Sequence, residues 1–261
     1  MPRYVLIALA AALLAGCAHR GPPGLDVDTS VTAVSQGSRV RSIVLHYTTL
    51  DDVHSLEELS RGKVSAHYLI QENGKTWQLV DENRAAWHAG ASAWQGITAM
   101  NSTSIGIELV NPGWTPGPDG VAVWRPYDPR QLRSLVLLAR DIAQRHGIAP
   151  ENIVGHSDIA PQRKVDPGPL FPWKWLASQG IGRWYDEAAA AAHLARLQQE
   201  PLPGIAWFQA QLQRLGYAAP QTGQADRETS NVLAAFQMHY RPSRHDGQPD
   251  AETAAIMLAL P

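Results

Sequence analysis

Cysteine is nearly absent from this chain of 261 residues, Cys17 being the only one. A single thiol excludes an intramolecular disulfide framework and any zinc or iron–sulfur site built on several cysteines, so metal chemistry here must use histidine and carboxylate. An excess of charge of one sign is lacking too. The 22 basic residues face 24 acidic ones for a net charge of −2, too even for the broad positive field of a nucleic-acid binder, and nucleic acid is not expected as a partner. No apolar run has the roughly 20 residues of a membrane-spanning helix, and no His-Glu-x-x-His helix is present. What is there is a globular composition. Its 44% of apolar residues is enough for real cores, over a length that allows one large domain or a medium one plus a small one.

The lone cysteine has a context. Arg3 precedes a short apolar run over residues 5–14, which has the length of an export signal's hydrophobic region. The following Leu14-Ala15-Gly16-Cys17 resembles the bacterial lipoprotein signal, in which cleavage before the cysteine leaves a lipidated first residue. Residues 1–16 are therefore expected to be a signal peptide and Cys17 a lipid attachment point. Ala18 in the next position implies sorting to the outer membrane, facing the periplasm. A plain secretory signal leaving a free thiol is the alternative. Residues 17–38, with Gly21-Pro22-Pro23-Gly24, show no helical apolar spacing and read as a tether. Fully extended, it spans on the order of 70 Å.

The folded chain is expected to begin near residue 39. Ile43-Val44-Leu45 predicts a buried strand opening at His46 into a loop, and ligands gather at such carboxyl ends. Residues 66–71 and 76–80 predict a hairpin turning at Asn73-Gly74. Residues 104–110 predict a further strand, with Ile105, Ile107 and Leu109 on one face and Gly106 and Glu108 on the other. The apolar stripe Leu132, Leu135, Val136, Leu138 and Ala139 predicts a helix over 128–146, ended by Gly147. Ile153-Val154 predicts a last short strand that delivers His156. These elements imply an α/β fold of the α+β type: a mixed central sheet flanked by helices.

Five residues at the ends or on one face of these elements form a chemically coherent set: His46, Glu108, His156, Lys164 and Asp166. Each has a bland reading on its own, as a satisfied histidine, a solvated glutamate or a loop ion pair. Together they fit a catalytic zinc site, which needs three nitrogen or oxygen ligands and an open fourth position for water. Two histidines and one aspartate supply that number.

Several stretches resemble the type-2 N-acetylmuramoyl-L-alanine amidases, in the order in which that family carries them. They are Val44-Leu45-His46-Tyr47-Thr48, Val64-Ser65-Ala66-His67-Tyr68-Leu69-Ile70, Ala86-Trp87-His88-Ala89-Gly90 and Ser104-Ile105-Gly106-Ile107-Glu108-Leu109. The last and longest, from Gly155-His156-Ser157-Asp158 to Arg163-Lys164-Val165-Asp166-Pro167-Gly168-Pro169, is the most specific. The resemblance covers roughly residues 40–176. It implies one catalytic Zn2+ on His46, His156 and Asp166, with Glu108 and Lys164 as the catalytic pair. His67 and His88 lie in these motifs and are expected to line the site as substrate contacts or supports of the ligands, with a structural hydrogen-bonding role as the alternative. Trp87 is expected as a substrate contact through sugar stacking, with a core role as the alternative. Trp94, Trp114 and Trp124 are either sugar-stacking or core residues, and 112–126 reads as a loop bordering the site. His54, His146, His193, His239 and His245 lack a partner pattern and read as structural or surface residues.

A second module follows the catalytic stretch of 39–180. An alanine-rich segment in 181–202 predicts a connecting helix that acts as a spacer. Beyond it, Ile205, Phe208, Leu212 and Leu215 share a helical face. The pattern from Asp226 to Phe236 then recurs from Asp250 to Leu260, each copy a capped helix start with an apolar stripe. Residues 203–261 are similar to the small three-helix peptidoglycan-binding domain, although Asp250 stands where that pattern usually carries glycine.

These readings combine into an exported, lipid-anchored zinc amidase acting on peptidoglycan and muropeptides, with the membrane as a partner through its anchor and no obligate protein partner. A non-catalytic peptidoglycan-binding receptor or scaffold is the alternative, which the presence of Glu108, Lys164 and Asp166 disfavours. A zinc endopeptidase cutting between stem amino acids is a third reading.

Overall fold

Five strands order themselves β3-β2-β4-β1-β7 in the main sheet. They are β1 (Ser42–Tyr47), β2 (Tyr68–Ile70), β3 (Thr76–Gln78), β4 (Ser104–Leu109) and β7 (Ile153–Gly155). All pairings are parallel except the β2–β3 hairpin, so the sheet is mixed, as the sequence predicts. Its turn passes through Gly74 at φ +88°, a left-handed conformation that glycine adopts at no steric cost. The computed structural model describes residues 23–261, so the expected signal peptide and Cys17 lie outside the described residues. Residues 23–37 form no helix or strand and are exposed. No helix among the described residues is long and apolar enough to cross a membrane.

Alternation divides the sheet chemically. On one face Ile43, Leu45, Ile105, Ile107, Leu109 and Ile153 are buried together with Leu135, Val136, Ala139 and Ile142 of α3 (Pro129–His146). That helix starts where Asp128 accepts the Arg130 N–H at 2.8 Å and stops at Gly147, as its stripe and caps predict. Each large aliphatic side chain so buried stabilises the fold by about 1.5–3 kcal/mol. The other face carries Val44, His46, Gly106, Glu108 and Val154. Here an apolar core coexists with polar chemistry at the carboxyl ends of the strands.

The C-terminal module packs on that second face. Val44, Trp94, Met100, Val154 and Ile159 share one continuous core with Phe208, Leu212, Val232, Phe236, Ile256 and Met257. These last belong to α7 (Ile205–Arg214), α8 (Arg227–Tyr240) and α9 (Ala251–Ala259), the three helices expected. Asp226 and Asp250 cap α8 and α9 by accepting the N–H of Thr229 and Thr253, both at 2.7 Å. Asp250 therefore serves as a helix cap in place of the usual glycine. Residues 38–261 fold as one compact unit. The segment expected to be a spacer is α6 (Glu187–Leu197), and Ala190 and Leu197 on it are buried. Its alanine-rich composition hides this role, because small side chains let α6 approach α9 closely without an obvious apolar stripe.

Other elements escape the sequence reading. α1 (Asp52–Arg61) buries only Ser55 and Leu59, too thin a stripe to stand out, and Asp51 caps it. The stretch read as a loop contains the hairpin β5 (Trp114–Pro116) and β6 (Ala122–Trp124), with Trp114 opposite Trp124. Pro116, Gly117 and Gly120 obscure its alternation. Two short helices, α2 (Met100–Thr103) and α5 (Trp173–Ser178), complete the set, and α4 (His156–Ile159) follows β7 directly.

Candidate active site

The functional residues gather because three parallel strands end side by side. β1 delivers His46 near its carboxyl end and β4 places Glu108 in register with it, so the two side chains leave the sheet on the same face. β7 lies on the other side of β1, and His156 is the first residue after it. The chain then returns through a tight loop that brings back Lys164 and Asp166. Glu108, His156, Lys164 and Asp166 line one groove of about 290 Å³, together with Tyr47, Thr48, Trp87 and His88.

At its floor three donor atoms converge. His46 Nδ1 lies 2.9 Å from His156 Nδ1 and 3.2 Å from Asp166 Oδ2, and His156 Nδ1 lies 3.1 Å from that same oxygen. All three residues are buried. The opposite ring nitrogens are engaged elsewhere, and the tautomers follow from assigning that network. His156 Nε2 donates to the Ala89 carbonyl at 3.1 Å. Ser104 donates its hydroxyl proton to the Met100 carbonyl at 2.6 Å, so its oxygen accepts from His88 Nε2 at 3.3 Å. His88 Nδ1, left without a proton, accepts from His46 Nε2 at 3.0 Å. Both Nδ1 lone pairs therefore face the Asp166 carboxylate. Three acceptors in mutual contact need a positive charge among them. Their separations approach the edge of about 3.3 Å set by a tetrahedral ion with bonds of about 2.0–2.1 Å. His46, His156 and Asp166 form a cluster that could hold a metal ion. Burial, then the neighbouring His156, pushes the His46 imidazole down to about 4, keeping it in the neutral form that a metal requires.

Glu108 stands beside this cluster with a buried Oε2 that has no hydrogen-bond partner in the protein. Burial, then the charge of Asp166, pushes its carboxyl up to about 8 against the attraction of Lys164. A carboxylate tuned toward neutrality with an open acceptor is suited to moving a proton.

The remaining expected contacts divide. Trp87 is 58% exposed on the groove wall. His88 also lines the groove, yet its ring nitrogens are committed to His46 and Ser104. His67 stands in the structural hydrogen-bonding role that its motif also allows. Its ring is buried, with Nδ1 accepting from Gly106 N–H and Nε2 donating to the Arg84 carbonyl, both at 3.0 Å. It braces β4 and is not among the groove-lining residues. Trp94 is a core residue donating to the Glu151 carbonyl at 3.2 Å, while Trp114 is exposed and Trp124 half-buried on their hairpin.

Sequence reasoning missed the groups that hold the site in shape. Asn101 Oδ1 accepts the N–H of both His88 and Ala89, at 3.1 and 2.7 Å. Arg163 donates to the carbonyls of Ala89 and Ala91. Polar side chains that bind backbone far along the chain leave no periodic mark.

With this geometry in view, the comparisons with known proteins are direct. Residues 36–169 match the N-acetylmuramoyl-L-alanine amidase family, and residues 202–257 match a peptidoglycan binding domain. The chain is 46% identical over its whole length to N-acetylmuramoyl-L-alanine amidase AmiD of Escherichia coli, covering 98% of that protein. It is 40% identical over 48% of its length to the 1,6-anhydro-N-acetylmuramyl-L-alanine amidase AmpD of Enterobacter cloacae, covering 63% of it. Among solved structures it superposes with a TM-score of 0.85 and 45% identity on E. coli AmiD in complex with anhydro-N-acetylmuramic acid-L-Ala-D-gamma-Glu-L-Lys, covering 92% of this chain and 95% of that one. AmpDh3 from Pseudomonas aeruginosa in complex with anhydromuramic pentapeptide gives 0.84 and 42% identity, over 92% of this chain and 98% of that one. A family match over residues 36–169 and a full-length match at this identity mean that the chain belongs to the N-acetylmuramoyl-L-alanine amidase family.

Proposed function

We propose that the protein is a zinc hydrolase that cleaves the amide between N-acetylmuramic acid and L-alanine, in peptidoglycan or its muropeptide fragments, in cell-wall turnover. The observation that carries this reading is the juxtaposition of a three-donor metal cluster with the unpartnered Oε2 of Glu108 in one groove. A receptor without catalysis has no use for that pairing.

His46 Nδ1, His156 Nδ1 and Asp166 Oδ2 would hold the zinc ion, which when bound lowers the pKa of water toward 7 and polarises the scissile carbonyl. Glu108 Oε2 takes the proton of the attacking water and delivers it to the departing L-alanine nitrogen. Lys164 sets a positive charge against the oxyanion as the carbonyl carbon becomes tetrahedral. Trp87 offers an apolar wall to the sugar or the peptide at the groove mouth.

Export and lipidation at Cys17, with an outer-membrane location facing the periplasm, complete the proposal. The basis is the apolar run, Cys17 and Ala18. A tether of residues 17–38 lets the enzyme reach polymer above its anchor.

Incubation with purified peptidoglycan and with soluble muropeptides, read by mass spectrometry, tests the activity. Release of peptides with a free L-alanine amino terminus, lost on chelation, restored by zinc and absent in Glu108→Ala, is the expected result. Binding without cleavage of either substrate would replace the enzyme with a receptor, and cuts between stem residues would make it an endopeptidase.

A further inference from the structure

The segment from His156 to Asp166 carries both late metal ligands and Lys164, and the C-terminal module grips it at two points. The first is Asp158, 1% exposed, in the single turn of α4 that begins at His156. Its Oδ2 accepts the Gly155 N–H at 2.7 Å, closing the turn that aims His156. Its other partners come from far along the chain. Tyr217 donates its hydroxyl to Oδ1 at 2.8 Å, and His239 Nδ1 donates to Oδ2 at 2.8 Å. Both donors are buried. The His239 ring is sandwiched between Trp173, at 3.9 Å and 11°, and Tyr240, at 4.1 Å and 17°. Trp173 in turn packs over Gly155, where an added Cβ would stand 3.4 Å from its ring. The second point is Gln162, whose amide donates to the Glu228 carbonyl at 3.0 Å and accepts from Asn231 Nδ2 at 2.8 Å.

A buried carboxylate is tolerated only while its lone pairs are satisfied, and two of the three donors to Asp158 belong to the C-terminal module. Losing Tyr217 leaves Oδ1 without a donor, and losing His239 leaves Oδ2 with the Gly155 N–H alone; in either case the carboxylate shifts, and the backbone of Gly155 and His156 shifts with it. We infer that Tyr217 and His239 are positioning residues for the metal ligand His156, acting through Asp158. The C-terminal module is thus a brace of the metal centre, whatever polymer it also binds. This inference rests on the metal assignment proposed above.

The test uses the full chain and reads zinc affinity by competition with a chromophoric chelator, together with the visible spectrum of the cobalt-substituted protein. Tyr217→Phe removes one hydrogen bond at nearly constant volume. It is expected to weaken zinc binding by about 10-fold, the lower end for partners that support a ligand, and to alter the cobalt spectrum while KM for a soluble muropeptide is kept. His239→Leu is expected to do the same. His239→Asn, which retains a donor where Nδ1 lies, is expected to stay within a few-fold of wild type. Wild-type zinc affinity and cobalt spectrum in both Tyr217→Phe and His239→Leu, with melting lowered equally in metal-free and loaded protein, would overturn the brace and leave these residues as packing alone. If those core variants do not fold, Asn231→Ala loosens the grip at the surface. A two- to three-fold loss of affinity supports the brace there, and no change overturns it. A wild-type chain that takes up no metal, or one whose uptake survives His46→Ala, overturns the metal reading and the brace with it. Uptake by wild type with equal uptake by Tyr217→Phe overturns the brace alone.

Discussion

His46 and Glu108 sit directly opposite each other on the parallel strands β1 and β4. The proposed metal ligand and the proposed proton carrier are therefore one strand spacing apart, and the sheet's hydrogen bonds fix their separation. This gives Glu108→Gln a definite expectation. The amide keeps the volume but cannot take a proton, so turnover of a soluble muropeptide should fall by about 10²–10⁴-fold, the range for a general acid–base group. Zinc should still bind through the unchanged donors His46, His156 and Asp166, with its affinity lowered only as far as the nearby carboxylate charge assists the cation. Activity within 10-fold of wild type would remove Glu108 from the mechanism.

Lys164 lines the same groove two residues before a ligand. On the proposed mechanism Lys164→Ala removes the charge set against the oxyanion and should lower kcat by about 10²–10³-fold, as for the loss of an oxyanion-stabilising group, with a smaller effect on KM. A change confined to KM would instead make Lys164 a substrate-binding residue.

His88 holds His46, a proposed ligand, through a directed chain that runs His46 Nε2 to His88 Nδ1, His88 Nε2 to Ser104, and Ser104 to the Met100 carbonyl. His88→Leu removes the acceptor and is expected to cost 10–100-fold in zinc affinity. His88→Asn, with an oxygen near the Nδ1 position, should recover much of it. Gly106→Ala reaches the same ring by another route, because a Cβ at Gly106 overlaps the His88 imidazole. It should lower both zinc affinity and melting temperature. Equal zinc affinity in His88→Leu and wild type would show that the chain does not orient His46.

Legibility in the sequence followed from how local each signal is. His46, Glu108 and His156 stand at or near the carboxyl ends of strands whose β-branched runs are plain, and the alternation placing Glu108 opposite Ile107 and Leu109 is read directly from residues 104–110. The family resemblance added the grouping of Glu108 with His46, His156 and Asp166, which composition and spacing do not contain. His239 is structural and buried, as one of its two readings allows, but its partner is not legible. Its helix gives it no partner pattern, and its partner Asp158 lies 81 residues earlier, so only the packed structure joins them. The sequence presents α6 as a spacer for a related reason: alanines carry little periodic signal, and their closeness to α9 exists only in three dimensions.

The core shared by the two sequence modules has a thermodynamic consequence. Phe208 and Phe236 are fully buried in the cluster that contains Val44 and Val154 of the sheet. The parts should therefore unfold together in a single calorimetric transition. Phe208→Ala is expected to destabilise by roughly 3–5 kcal/mol and to lower that one transition. Two separated transitions, with only the later segment affected, would mean that the modules are energetically independent.

Glu108 also links the site to pH. In the metal-free protein its carboxyl is pushed from the ordinary 4.5 up to about 8, first by burial and then by Asp166. The folded state therefore holds this proton more tightly than the unfolded state. Below pH 4.5 both states keep it and there is no penalty. As pH rises toward 8 the unfolded state has already lost it while the folded state has not, so stability falls across that window and stays lower above it. Glu108→Gln removes the ionisation. Metal-free Glu108→Gln should melt above metal-free wild type at pH 9, and the advantage should vanish at pH 4. Zinc loading should shrink the difference at pH 9, since a cation beside the carboxylate favours its charged form. A melting difference of the same size at pH 4 and pH 9 would mean that the buried carboxylate is not the source.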